Sequence, residues 1–264
     1  MMEENKKVIL TGVGFLVLIV LAIGIYFLFI HEKPKEATPV QEVAEETIPL
    51  EETLKDEERE ALEYIQIELN KSDGLIRDLV KKLSSHSELS RWLMTKDLIR
   101  KFTAAVDNIA NGQSPRPHIG FFTLKEEFTV IEKNGLNYID PESYERYNLV
   151  GDVFVSLDSE GCARLYRQLN PVIQEAYRDL GYPDGDFNKT LTKAIIELLK
   201  VPVNKDDILL EKKVVSYMMT DSELENLSQA QKHLLRMGPE NVQKIQSKLR
   251  EMALALEISI PASR

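Results

Sequence analysis

The distribution of hydrophobic and polar positions sets the N-terminal part of the chain apart from the rest. Residues 8–30, which begin at Val8 and end at Ile30, form a run of 23 positions without a charged side chain. At about 1.5 Å per residue, a helix of that length spans about 34 Å, enough to cross a hydrocarbon layer of about 30 Å. The run therefore predicts one transmembrane helix, preceded by a short tail at residues 1–7.

Helical periodicity dominates the chain after residue 70. Apolar side chains recur three or four positions apart there, which is typical of helices that bury one face. The pattern predicts a mainly α-helical head over residues 71–264. The predicted helices cover residues 72–85, 88–94, 95–110, 141–157, 158–180, 187–200, 228–237 and 239–256.

Two segments of the head have β-strand character instead. Residues 128–133 and 136–140 flank Asn134 and Gly135, and Asn-Gly is the strongest short signal for a β-hairpin because both turn residues take positive φ. Residues 208–219 are rich in apolar and β-branched side chains and form a second β candidate. The predicted fold class is therefore mainly α (α+β), with a small antiparallel β element.

Charge separates a linker from the head. Residues 36–63 carry two basic and eleven acidic side chains, a net charge of −9, whereas the residues from 64 onward sum to only −2. Residues 31–70 therefore predict an acidic, Pro- and Glu-rich linker that repels itself and stays extended, with a helical end from Thr53. We interpret it as a spacer between bilayer and head; a specific acidic docking motif is the alternative.

The flanks of the hydrophobic run bear on its role and orientation. A signal peptide has a shorter apolar core, about 7–15 residues, and a small-residue cleavage site. Here the run ends in bulky side chains, which favours an uncleaved anchor. Two lysines lie before the run and two follow it, so the positive-inside rule gives almost equal support to the two orientations of the helix. A short segment before the run favours a cytoplasmic N-terminus and a periplasmic head at the inner membrane; a cytoplasmic head is the alternative.

The sequence carries no motif for catalysis, cofactor binding or a metal site, and we predict no residue for any of these roles. The four histidines, His31, His86, His118 and His233, show no metal-ligand spacing, and Cys162 is a lone cysteine that leaves the redox compartment open. The loop with Asp184 and Asp186 resembles a calcium loop, but Lys189 and Ile195 occupy the positions that need Gly and Glu. A turn followed by a helix cap explains it better.

Two further features have simple structural interpretations. The helix pair joined at Gly238 and Pro239 resembles a DNA-binding hairpin, but Glu240 at the helix start and the slightly acidic head exclude nucleic acid as an expected partner. Tyrosines and arginines could anchor an interface, although on amphipathic helices they more often pack at the core edge. This group consists of Tyr144, Arg146, Tyr147, Tyr166, Arg167, Tyr177 and Arg178.

A set of short sequence words resembles a family of bacterial single-pass membrane proteins known only as a domain of unknown function, family 3014. The resemblance covers about residues 72–260 and implies an N-terminal membrane helix, a low-complexity linker and a periplasmic head, without established catalytic residues. The words are Tyr138-Ile139-Asp140-Pro141 with Tyr147, Ser156-Leu157-Asp158, Leu165-Tyr166-Arg167, Glu175-Ala176-Tyr177, Gly181-Tyr182-Pro183, and Ala230-Gln231-Lys232 with Leu235-Arg236-Met237-Gly238-Pro239.

Anchor, spacer and a head without motifs favour an interaction role. We expect a membrane-anchored envelope protein whose head binds another envelope component, either a protein or the cell wall. The alternative is a hydrolase or other enzyme of an envelope polymer, which needs two carboxyl groups at a spacing suited to acid/base chemistry. The candidates for that pair are Asp140, Asp158, Asp184 and Asp186.

Overall fold

A computed structural model describes residues 64–120, 124, 127–214 and 216–260. The predicted transmembrane helix at residues 8–30 and most of the predicted linker lie outside the described residues. In the part of the chain that is described, no helix is long and apolar enough to cross a membrane. The described residues belong to one compact unit, Arg59–Arg264.

The described part of the unit is mostly helical, as the periodicity predicts. Two 3-10 turns, Leu69–Lys71 and Lys81–Leu83, flank the first helix. The α-helices are α1 (Asp73–Val80), α2 (Ser87–Trp92), α3 (Leu98–Ala110), α4 (Glu142–Glu145), α5 (Asn148–Val155), α6 (Ser159–Asp179), α7 (Phe187–Leu199), α8 (Ser222–Glu225), α9 (Gln229–Leu235) and α10 (Pro239–Ala255).

A small antiparallel sheet packs with these helices. Its strands are β1 (Val130–Lys133), β2 (Leu136–Ile139), β3 (Leu209–Lys212) and β4 (Tyr217–Met219), side by side in chain order. The predicted hairpin is confirmed, because Asn134 and Gly135 have φ of 57° and 76° in the turn between β1 and β2. The second β candidate forms β3 and β4, which complete the same sheet.

Two apolar clusters make up most of the core. In the first, α3 and α7 pack against α6 around Phe187, whose side chain is fully buried. In the second, the inner side of the sheet packs on α9 and α10 around Val242, which is also fully buried. Leu191 on α7 borders both clusters, so α7 ties the helical part to the sheet.

The helix predicted over residues 141–157 is instead two helices, α4 and α5. In a continuous helix the Tyr144 carbonyl would accept the backbone N–H of Asn148. Here the Nδ2 of Asn241, on α10, donates to the Tyr144 carbonyl (3.4 Å) and to the Asn148 Oδ1 (3.0 Å). A contact from a distant helix therefore interrupts the local periodicity.

Two predicted boundaries also differ from the structure. Helix α3 begins at Leu98 rather than at residue 95, because Asp97 has φ of 58° and the Asp73 carboxylate accepts the backbone N–H groups of Asp97 and Leu98. Residues 64–68, predicted as helical linker, are not helical. Ile65 instead packs on the first cluster, and its N–H donates to the Gln168 carbonyl at 3.1 Å.

Candidate functional site

The four carboxylates considered for acid/base catalysis lie at three separate places in the head. Asp140 accepts the N–H of Glu142 and precedes α4, and Asp158 lies just before α6. Asp184 and Asp186 follow α6, whose 21 residues span about 30 Å. Asp186 caps α7 through the N–H of Asn188, as predicted. Each of these side chains except Asp140 is exposed, and none of the four lines either of two surface grooves along α7 and α10.

The described part of the chain offers no metal site as an alternative. Among the described residues, no group of three or more His, Cys, Asp or Glu side chains could hold a metal ion. Two shallow surface grooves, of about 420 Å³ along α7 and about 550 Å³ along α10, are each lined almost wholly by one helix. Neither groove presents a convergent set of catalytic groups.

The tyrosines of the polar-aromatic group have packing roles. Tyr177 is buried, stacks on Tyr182 with ring centroids 4.6 Å apart, and contacts Phe187 edge-on. The Tyr166 hydroxyl donates to the Asn188 Oδ1 at 2.6 Å, and burial raises its pKa above the usual value. These contacts hold the start of α7 against α6, so the group does not form one exposed surface.

The side chains that do converge lie where the loop after α3 meets α9. The loop turns at Gly112, which has φ of 68°. Its carbonyl accepts the backbone N–H of Ala230 at 3.2 Å, and the Asn108 Nδ2 donates to the Ser114 carbonyl at 2.9 Å. The loop is therefore fixed against both helices before any ligand binds.

A serine and a histidine meet at this junction. Helix α9 begins with a capping box between Ser228 and Gln231, which sets its first turn, and His233 follows in the next turn. The Ser114 Oγ and the His233 Nε2 lie 2.8 Å apart. The Ser114 Oγ also accepts the backbone N–H of Arg116 at 3.3 Å.

Two arginines complete what we call the Ser114–His233 cluster, defined as Ser114, Arg116, His233 and Arg236. Arg236 follows His233 by three residues at the end of α9, a spacing that places both on one side of the helix. Neither arginine forms an ion pair with another described residue. The cluster therefore carries two positive charges without a direct counterion in the described part of the head.

Glu225, whose carboxylate lies within the electrostatic range of Arg236, is already engaged. The Lys232 Nζ donates to the Glu225 Oε1 at 2.6 Å, and the Met219 N–H donates to the Glu225 Oε2 at 2.9 Å. The hydrogen bond from Lys232, more than the field of Arg236, holds the pKa of Glu225 below its usual range. Glu225 therefore compensates Lys232 first and leaves Arg236 largely uncompensated.

The electrostatic environment keeps His233 neutral near pH 7. Burial lowers the pKa of His233, and the charges of Arg236 and Arg116 lower it further. A neutral imidazole has one ring nitrogen free to accept, and Ser114 already accepts from Arg116. The Ser114 hydroxyl and the His233 Nε2 share one hydrogen bond, and the tautomer of the imidazole sets which of the two donates.

A serine beside a neutral histidine is also the arrangement of a nucleophile and its base. That chemistry normally needs a third group that orients the imidazole through its other nitrogen. In the described part of the chain, the His233 Nδ1 has no hydrogen-bond partner. Two guanidinium groups without an ion-pair partner among the described residues, beside a serine hydroxyl, are better suited to holding an anion than to attacking a carbonyl.

The comparisons place the chain in a family without a known activity. A family model described as "Protein of unknown function (DUF3014)" matches residues 98–253, more than half of the chain. The chain belongs to this family. The match runs from the start of α3 into α10 and includes the whole Ser114–His233 cluster. Neither the curated proteins nor the solved structures contain a significant match.

The sequence patterns did not reveal this cluster. Ser114 and His233 are 119 positions apart, and a serine in a Pro-rich loop and a single histidine on a helix each look ordinary. The signal that could have drawn attention to it was the local charge at the loop, where Arg116 lies in a stretch without an acidic residue between Ser114 and Gly120.

Proposed function

We propose that the chain is a bacterial single-pass membrane protein whose head lies on the periplasmic side of the inner membrane and binds another component of the cell envelope. The uncharged run at residues 8–30 supports the membrane anchor, and the acidic segment after it supports a spacer of extended chain. This organisation places a binding head at a distance from the bilayer.

The observation that carries the binding role is the Ser114–His233 cluster. It combines two guanidinium groups without ion-pair partners among the described residues with a hydroxyl held in place by the backbone. An enzyme would need a general acid and a base at matched positions, and the four candidate carboxylates lie at separate places. The arrangement favours recognition over hydrolysis.

Site-specific photo-crosslinking in living cells tests this role. A photoreactive amino acid replaces Gln113, which is exposed beside Ser114, in the full chain; the matched control replaces Gln243, which is exposed on α10. We expect an envelope component to crosslink at position 113 but not at position 243, and the substitution Arg236→Ser to abolish the product. The same crosslinks at both positions, or products that survive Arg236→Ser, would contradict the binding role.

A covalent probe tests the enzymatic alternative at the same place. Fluorophosphonates label a serine whose hydroxyl is activated by a base. We expect no labelling of Ser114 in the full chain, because no carboxylate orients His233 among the described residues. Labelling that disappears in Ser114→Ala would favour a hydrolase and overturn the assignment of this cluster to binding alone.

A further inference from the structure

The number of donors in the Ser114–His233 cluster and the separate elements that carry them indicate which anion it accepts. Its groups come from two sides: the loop after α3 supplies Ser114 and Arg116, and the end of α9 supplies His233 and Arg236. A carboxylate presents two oxygens in one plane, whereas a phosphate monoester presents three oxygens around a tetrahedral centre. Donors that arrive from separate elements match the tetrahedral anion better.

The charges of the cluster also match a phosphate group. Two arginines whose charges have no ion-pair partner among the described residues balance the dianion that a phosphate monoester carries at neutral pH. The guanidinium group is the side chain best suited to bidentate contacts with phosphate oxygens. A neutral His233 can become a third donor when an anion lies beside it, because a nearby negative charge favours protonation.

The surrounding structure holds these donors in place. Gly112 packs closely against Ser228, since a Cβ on Gly112 would lie 3.0 Å from the Ser228 Cβ. The Ala230 N–H to Gly112 carbonyl bond joins the loop to the first turn of α9. The backbone that carries these donors therefore loses little conformational freedom when a ligand binds, which lowers the entropic cost of binding.

We propose that the Ser114–His233 cluster is a binding site for a phosphate monoester group, held by the side chains of Arg116, Arg236 and Ser114 with His233 as an additional donor. This inference rests on the proposed function, because the phosphate group would belong to the envelope component that the head binds. A lipid headgroup and a free phosphate share this chemistry, and the experiment below distinguishes them.

Nuclear magnetic resonance of the histidine side chains tests the site directly. The full chain, purified in detergent with labelled histidine, contains four imidazoles, and the substitution His233→Gln identifies the signals of His233. Inorganic phosphate is titrated to roughly 10 mM, enough to detect a Kd of about 1 mM. We expect phosphate to shift the His233 signals and to raise the pH at which this imidazole titrates.

Variants separate a specific site from a general charge effect. Arg116→Ser and Arg236→Ser are each expected to weaken phosphate binding by about tenfold to a hundredfold, the usual effect of losing a charge-assisted hydrogen bond. Arg250→Ser removes the same charge from an exposed position on α10 and is expected to leave binding unchanged. Acetate at the same concentration is expected to produce at most a small shift.

A second ligand distinguishes a lipid headgroup from a free phosphate. Short-chain phosphatidic acid that binds more tightly than inorganic phosphate would identify a lipid headgroup, and the reverse order would identify a free phosphate. Three results would overturn the proposal: no shift of His233 with either ligand, a shift that persists in both arginine variants, or an equal response to acetate. Any of these leaves the crosslinking result at position 113 intact, so failure of the phosphate site is distinguishable from failure of the proposed function.

Discussion

Gln246 is the buried polar side chain whose replacement gives the sharpest test of the fold. It lies on α10, is only 4% exposed, and its Nε2 donates to the carbonyls of Val201 (2.8 Å) and Leu198 (3.1 Å). These carbonyls belong to the last turn of α7 and the residues just after it, where intrahelical partners are missing. Gln246 therefore pairs with carbonyl groups at the end of α7, and its bond to the Val201 carbonyl is fully buried.

The expected cost of Gln246→Ala follows from these contacts. Each lost hydrogen bond destabilises by about 1 kcal/mol, with more if the buried carbonyl stays unpaired. The removed methylene contributes about another 0.8 kcal/mol. We expect the free energy of unfolding to fall by about 2–4 kcal/mol, which corresponds to a Tm lower by roughly 5–15 °C for a unit of this size.

The assay is urea denaturation of the full chain in detergent, followed by the fluorescence of the single tryptophan, Trp92. Gln243→Ala is the matched control, because it makes the same chemical change at an exposed position of the same helix. We expect the control to change stability by less than about 0.5 kcal/mol. If both variants lose the same stability, or neither loses any, the capping role of Gln246 is wrong.

Three further substitutions test other contacts by the same measurement. Gly238→Ala should destabilise the fold by about 2–5 kcal/mol, because φ is 84° and the new Cβ would lie 2.5 Å from the Tyr144 ring. The control Gly74→Ala, whose Cβ would have nothing within 4 Å, should not destabilise the fold. Equal losses in the two variants would contradict the close packing of Gly238 on Tyr144. Phe187→Ala should cost about 3–5 kcal/mol, because this side chain is fully buried, and a loss below about 1 kcal/mol would contradict its central place in the core. The pKa of His233 is lower in the folded protein than in the unfolded chain, so the unfolded chain binds the proton more tightly. The contribution of neutral His233 to stability should therefore be complete above about pH 6.5 and be lost as the pH falls through the folded pKa. We expect the loss of stability in acid to be smaller in His233→Gln, and an unchanged pH profile would contradict this.

Elements with strong local signals were predictable from the sequence. The turn at Asn134 and Gly135, the cap at Asp186 and the end of α3 at Ala110 all appear in the structure, because each depends on the backbone preferences of one or two residues nearby. Long helices with one apolar face, such as α6 and α10, were also predictable. These features depend on neighbouring residues in the sequence, so short-range sequence patterns predict them.

Features set by distant contacts were not predictable. The break between α4 and α5 depends on Asn241, which is almost 100 positions away from Tyr144, and the start of α3 depends on the carboxylate of Asp73. The Ser114–His233 cluster arises in the same way, since it exists only because the loop after α3 docks on α9. No periodicity or motif in the loop or in α9 indicates that the two segments are in contact.

The location of the head decides which partners are available to it, so a topology measurement tests the proposed function most directly. A phosphatase that is active only outside the cytoplasm is fused to the full chain after Arg264, and the control carries the same fusion on a chain without residues 8–30. We expect the full-length fusion to be active and membrane-bound, and the control to be inactive. An intact, membrane-bound but inactive full-length fusion would place the head in the cytoplasm and contradict its role as a binding module of the cell envelope.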